Sequence, residues 1–404
     1  MKTVAIISEY NPFHNGHLYQ IEKIREEFGQ DTAIIAIMSS NFTQRGEIAI
    51  MDKWARAESA VRCGVNLVLE LPFPYSMSSA EFFARAGVHI AEKTGVVDIL
   101  AFGSESGDIS ALEDTAEKIL SPALNKEIRR LSADKSTNNL GYAEIRDIAF
   151  KNVFGHEAPL NSANNILAVE YIKALRTENS SITPFTIKRT GAAYNDDTLS
   201  NGSIQSATAI RSLILQNCDS AAKFMPICVA ESIFREQSVG AFPLDQESLF
   251  PAVATSFTLN FTNDADNIHD IAGGLYNRLK NKSIEATSIQ SLVELATTKK
   301  YTTARIKRGI WYSLLGVTSS DVKTLPEYTQ VLGMNKVGQI LLKEIKKTAA
   351  ISVLTRPSDL PAVPLAAKQK ELADKADSIS QLAKPIPMSQ GSIYKRSPFV
   401  KKDV

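Results

Sequence analysis

The chain has 404 residues, 44% of them hydrophobic and 22% charged, with a formal net charge of +1. That length supports two or three domains with real cores, and the composition is that of an ordinary globular protein rather than a disordered or fibrous one. The near-neutral total excludes binding of polyanions through bulk charge, so any basic patch must be local.

Four apolar runs without polar alternation, residues 4–7, 33–38, 67–71 and 99–102, predict buried strands. Helical patterns at 17–28, 52–63 and 79–93 lie between them, and such strands joined by helices imply a parallel sheet covered on both faces. A helix at 165–175, a strand at 184–188 and a helix opening at Ser206 complete a doubly wound α/β domain, expected over residues 1–218. Residues 219–404 read as mainly helical, with segments 292–314, 325–331 and 336–347 and a last helix over 366–382 before a basic tail. No apolar stretch approaches the length of a membrane span, Met1-Lys2-Thr3 leads straight into a strand, and the three cysteines, Cys63, Cys218 and Cys228, are scattered. These features fit a reducing cytoplasm, the expected location, and they argue against a zinc site.

The first chemistry-bearing string is His14-Asn15-Gly16-His17, placed after the first strand and at the start of the first helix. Imidazoles three residues apart at a helix start face one side, and the helix end adds free N–H donors and partial positive charge. That arrangement suits a phosphate and the charge that builds when a phosphate is attacked. Taken alone, such a pair is more often polar surface; its position after the first strand is what gives it weight. Ser206-Ala207-Thr208-Ala209-Ile210-Arg211 offers hydroxyls at a second helix start and a guanidinium one turn on. In isolation it reads as a plain cap with a surface arginine. Gly103-Ser104-Glu105 and Asn41-Phe42-Thr43-Gln44-Arg45-Gly46-Glu47 follow strand ends, where ligands bind in open α/β sheets.

Between residues 299 and 347 lie ten cations (299, 300, 305, 307, 308, 323, 336, 343, 346, 347) against three acids (321, 327, 344). Tyr301, Trp311, Tyr312 and Tyr328 are interleaved. Basic charge with aromatics suits RNA, by phosphate neutralisation and base stacking; a solvated helix face with core aromatics would give the same string.

His14-Asn15-Gly16-His17 resembles the HxGH signature of the nucleotidylyltransferase superfamily. The string 206–211 is similar to that superfamily's second phosphate motif, Ser-Ser-Thr-x-x-Arg, with Ala207 in place of one serine. Ser8-Glu9-Tyr10-Asn11-Pro12-Phe13, Gln44-Arg45-Gly46-Glu47, Lys53-Trp54-Ala55-Arg56, Gly103-Ser104-Glu105, Asn164-Asn165-Ile166-Leu167 and Ala304-Arg305-Ile306-Lys307-Arg308 together resemble the bacterial tRNA(Met) cytidine acetate ligase family, across nearly the whole chain.

The resemblance implies a Rossmann-like, HIGH-type nucleotidylyltransferase domain that activates acetate with ATP. Acetyl-adenylate would then pass its acetyl group to N4 of the wobble cytidine of elongator tRNA(Met). His14, His17 and Arg211 carry over as the catalytic set. ATP binding would fall on Ile7, Ser8, Glu9, Tyr10, Asn11, Pro12, Phe13, His14, Asn15, Gly16, His17, Leu18, Tyr19 and Gln20. Gly103, Asn164 or Asn165, and Arg189 would join them, with Ser206 and Thr208 at the second motif. Arg305, Lys307, Arg308, Lys343, Lys346 and Lys347 are the expected tRNA contacts. Mg²⁺ is expected with ATP, held mainly by phosphate oxygens and water, with no protein metal site. Two rivals share parts of the pattern: a small-molecule nucleotidylyltransferase, which leaves the basic half unexplained, and a non-catalytic RNA-binding protein, which leaves the intact phosphate motifs unexplained.

Overall fold

The computed structural model describes residues 1–137, 140–160, 162–189, 204–259, 266–272 and 274–402. β1 (Thr3–Ser8), α1 (Asn15–Phe28) and β2 (Ala33–Ser39) open the chain. A short ribbon, β3 (Phe42–Thr43) and β4 (Glu47–Ile48), precedes α2 (Lys53–Arg62), β5 (Leu67–Leu71), α3 (Ala80–Thr94) and β6 (Ile99–Ser104). Next come α4 (Ile109–Leu120), α5 (Pro122–Ala133), α6 (Tyr142–Phe154), α7 (Ala163–Thr177) and β7 (Thr183–Lys188). The helices α8 (Ala207–Gln216), α9 (Cys218–Ala221), α10 (Ile227–Ser238), α11 (Phe250–Thr258), α12 (Leu275–Ser283), α13 (Ile289–Ala296), α14 (Thr303–Leu315) and α15 (Ser319–Lys323) follow. β8 (Tyr328–Met334), α16 (Lys336–Thr348), β9 (Ser352–Leu354), α17 (Pro364–Leu382) and β10 (Phe399–Val400) close the described chain.

The main sheet runs β10-β8-β5-β2-β1-β6-β7, with β9 beside β8. The five strands of the first half are all parallel, in register from Thr3↔Ala33 to Ser8↔Met38 at the centre. Ala5, Ile7, Ile35, Ile37 and Phe102 face a core under α3 and α7. Val4, Ile6, Ile34, Ala36 and Met38 face the opposite core, with Ile21, Ile24 and Ile210. Alternate side chains go to opposite faces and both faces are covered, which is why these strands show no polar alternation. The chain winds outward in both directions from β1, so the crevice between β1 and β6 is the topological switch point.

The second half departs from expectation in two places. Residues 325–331 read as helical, yet Tyr328–Met334 is a strand, antiparallel to β5, with Val331 opposite Leu69. A short apolar run gives no usable period, and sheet pairing decides its state. The segment 292–314 is two helices rather than one, broken between Ala296 and Thr303. The mainly helical region after residue 219 thus also lends β8, β9 and β10 to the main sheet. Cys63 and Cys228, distant in sequence, meet with their sulfurs 3.1 Å apart.

α17 is tied to the parallel sheet through buried charge. The Lys53 ammonium donates to Glu70 on β5 at 2.6 Å and to Asp377 on α17 at 2.5 Å. Asn41 donates to Asp377 and Ser380, and its own side-chain oxygen accepts from the Lys53 backbone. Lys53 therefore acts as a structural bolt, and removing one partner would leave an uncompensated buried charge.

Candidate active site

The turn after β1 delivers the two histidines. Tyr10 has φ +47°, a left-handed conformation unusual for a bulky residue, and marks strain at a functional turn. His14 caps α1: its Nδ1 accepts from the Gly16 backbone at 3.0 Å, and the His14 N–H donates to His17 Nδ1 at 3.2 Å. The rings stack with centroids 3.9 Å apart, and Tyr10 and Phe13 pack against His17. A Cβ at residue 16 would sit 2.9 Å from His14 Cε1, so only glycine admits this ring position.

Burial, then the charges of Arg189 and Arg211, push His14 down to about 3. Burial, then His14 and Arg189, also hold His17 well below the ordinary range. Both rings are neutral near pH 7, and since each Nδ1 accepts a backbone N–H, each carries its proton on Nε2. The pair thus offers two neutral N–H donors.

Ser206 caps α8, its hydroxyl accepting from the Ala209 N–H at 3.0 Å. One turn on, Arg211 donates to the Asn11 carbonyl at 3.1 Å and to Thr208 Oγ1 at 3.3 Å. The second phosphate motif therefore grips the backbone of the histidine turn. Arg211 also lies 3.8 Å from the Glu47 carboxylate, which is paired on its other oxygen with Lys307.

A cleft at the carboxyl ends of β1 and β6 includes Ser8, His14, His17, Gln20, Gln44, Gly103, Asn164 and Arg189 among its walls. At Gly103 a Cβ would crowd Arg189 Cγ at 3.3 Å, so glycine lets that arginine cross the cleft. Glu105 accepts from Ser162 and Asn164 at 2.6 Å each and from the Asn165 backbone at 3.0 Å, which locks the loop after β6 to the start of α7.

Residues 1–393 match the family model described as HIGH Nucleotidyl Transferase. The tRNA(Met) cytidine acetate ligase of Acetivibrio thermocellus is 38% identical over 374 residues, 89% of each chain. That of Caldanaerobacter subterraneus is 37% identical over 362 residues, covering 88% of this chain and 89% of its own. The chain belongs to the tRNA(Met) cytidine acetate ligase family. Two crystal structures of Thermotoga maritima TmcAL are similar over the full length of both chains at 30% identity: the apo form with a TM-score of 0.92, and a form bound with alpha-thio ATP with a TM-score of 0.90.

Not every residue expected at the ligase family's ATP site lines the cleft of this member. Ile7, Ser8, Glu9, Tyr10, Asn11, His14, His17, Gln20, Gly103, Asn164 and Arg189 do; Gly16 and Tyr19 line a smaller arm beside Ile187 and Ile204. Phe13 is fully buried in the core beneath His17, and Leu18 packs on the same core. Asn15 donates to the Lys223 carbonyl at 3.4 Å. Of the paired asparagines, Asn164 faces the cleft, whereas the Asn165 side chain accepts from Glu105 and Ser106 N–H groups. Ala207 lines the cleft; Ser206 is buried as a cap.

The expected RNA-contact set divides. Lys343, Lys346 and Lys347 are exposed on α16. Arg305 donates to the Asp270 and Ala272 carbonyls. Arg308 is buried and paired with Asp270 at 2.7 Å, because it lies on the packed side of α14. For the aromatics, which read equally as stacking surface or core, the packing decides for core. Trp311, Tyr312 and Tyr328 are core residues; Trp311 donates to the Gly46 carbonyl at 3.0 Å and Tyr312 to the Met77 carbonyl at 2.8 Å.

Arg56 sits in a motif string and was not singled out from sequence. It is wholly buried and donates to the carbonyls of Glu9, Ser39, Ser40 and Met51. It ties the carboxyl ends of β1 and β2 together beneath the cleft. Only a fixed guanidinium fork can serve four carbonyls in this way.

Proposed function

We propose that the protein activates acetate with ATP and transfers the acetyl group to N4 of the wobble cytidine of elongator tRNA(Met). The observation that carries this reading is the contact of Arg211 with the backbone of the His14–His17 turn, in a chain of this family. That contact joins residues 200 apart in sequence, Asn11 and Arg211.

A carboxylate oxygen of acetate attacks the α-phosphorus of ATP, the bond from that phosphorus to the bridging oxygen breaks, and pyrophosphate leaves with the electron pair. Neutral Nε2–H groups of His14 and His17 donate to phosphate oxygens without giving up their protons, and Arg211 and Arg189 offset the added charge. The cytosine amine then attacks the acyl carbon, AMP leaves, and the amine loses one proton. Among the described residues no group of three or more His, Cys, Asp or Glu is placed to hold a metal ion, so Mg²⁺ would arrive on the triphosphate, where it neutralises charge. Also among the described residues, no helix is long and apolar enough to cross a membrane.

The test is exchange of labelled pyrophosphate into ATP, run with and without acetate and with and without tRNA, followed by mass analysis of the tRNA. Acetate-dependent exchange and a tRNA heavier by one acetyl group are expected. A tRNA left unmodified, with no acetate-dependent exchange in either arm, refutes the reading.

A further inference from the structure

The cleft has two arms that meet at the histidines. One is lined by Gly16, Tyr19, Ile187, Lys188 and Ile204. The other is walled by Ile7, Phe83, Phe102, Leu167 and Tyr171. Both arms touch His14, His17, Gln20, Gly103 and Arg189, the residues suited to phosphate. Among the described residues, it is the second arm that continues, through Gln44 and Leu167, into a groove bounded by Arg45, Glu47, Thr303 and Lys307.

This continuity orders the reactants. In an acyl-adenylate the acyl carbon and the nucleoside lie on opposite sides of the α-phosphate. The incoming amine must reach the acyl carbon, so the acyl group belongs on the side that leads out to the groove. The nucleoside then occupies the arm lined by Gly16, Tyr19, Ile187 and Ile204. The apolar wall is left facing the acyl chain.

That wall cannot easily retreat. Phe83, Phe102 and Tyr171 are 2%, 4% and 5% exposed, all within the core under α3 and α7. The Phe102 and Tyr171 rings pack with centroids 5.6 Å apart. Behind Ile7, a Cβ at Gly87 would lie 2.7 Å from Ile7 Cδ1, so α3 already presses on that side chain. A longer acid would have to displace close-packed side chains.

We propose that Ile7, Phe83, Phe102, Leu167 and Tyr171 form the acyl pocket and set the length of the carboxylic acid that is activated. This rests on the ligase reading above. The rival occupant of the wall is the cytosine ring, for which the aromatics would serve as a stacking surface.

The experiment compares acetate, propionate and butyrate in pyrophosphate exchange, using the full chain and the variants Leu167→Ala and Phe83→Leu. Leu167 is only half-buried, so its truncation should leave the fold intact. The wild type should disfavour propionate by about 10- to 200-fold, the range for one methylene in a packed pocket. Each variant should raise the propionate-to-acetate ratio of kcat/KM at least about tenfold, with KM for ATP held. A ratio unmoved in both variants while acetate exchange persists overturns the proposal; if acetylation of tRNA falls at the same time, the wall holds the base instead. Exchange absent with every acid in the wild type overturns the ligase reading and the proposal with it.

Discussion

Lys307 on α14 donates its ammonium to Glu47 on β4, joining stretches of sequence 260 residues apart. The other oxygen of that carboxylate lies 3.8 Å from Arg211. Under the proposed function, Lys307 would set how strongly Glu47 competes with phosphate for Arg211; from sequence it is one of the expected tRNA contacts. In Lys307→Met the Glu47 carboxylate should turn fully to Arg211, and exchange should slow by roughly tenfold, about 1.4 kcal/mol. Glu47→Gln in the same chain should restore much of that loss. A double variant no faster than Lys307→Met would show that the two side chains are not coupled through Arg211.

His14 is neutral when folded, with its pKa down at about 3, and ordinary when unfolded. Between these values the unfolded chain binds the extra proton. The stability that neutral His14 represents is therefore complete above about pH 6.5 and is lost progressively as the pH falls toward 3. Melting temperature without ligand should drop from pH 7.5 to pH 5, and His14→Gln should flatten that drop. The paired kinetic check is His17→Ala, which should abolish exchange while tRNA affinity stays near normal. Collapse of tRNA binding in that variant would remove the pair from the phosphate site.

The basic residues should separate into two behaviours. Arg308→Ala strips a buried partner from Asp270 and should cost about 3–5 kcal/mol of stability, read by chemical denaturation. Joint replacement of Lys343, Lys346 and Lys347 by Gln should leave the melting temperature nearly unchanged and lower the slope of log affinity for tRNA against log salt. An unchanged slope would return those three lysines to plain surface.

Much of this molecule was legible because the relevant physics is local. Apolar runs without alternation marked β1, β2, β5 and β6, since strands covered on both faces need no polar side. The histidine stack follows from two side chains one helical turn apart with glycine between them, which any chain entering α1 this way would form. What sequence could not settle was the partner of each charged or aromatic residue. Arg308 and Lys343 are both cations on helices, but one is buried on Asp270 and the other faces solvent. Trp311 and Tyr312 read equally well as base-stacking surface or as core, and only the packing of α14 against the β3–β4 ribbon and Met77 decided for core. β8 became a strand because β5 offered it an open edge. Periodicity records which side of an element is apolar; the identity of what covers that side, and so the meeting of Arg211, Glu47 and Lys307, is fixed only by contacts between distant parts of the chain.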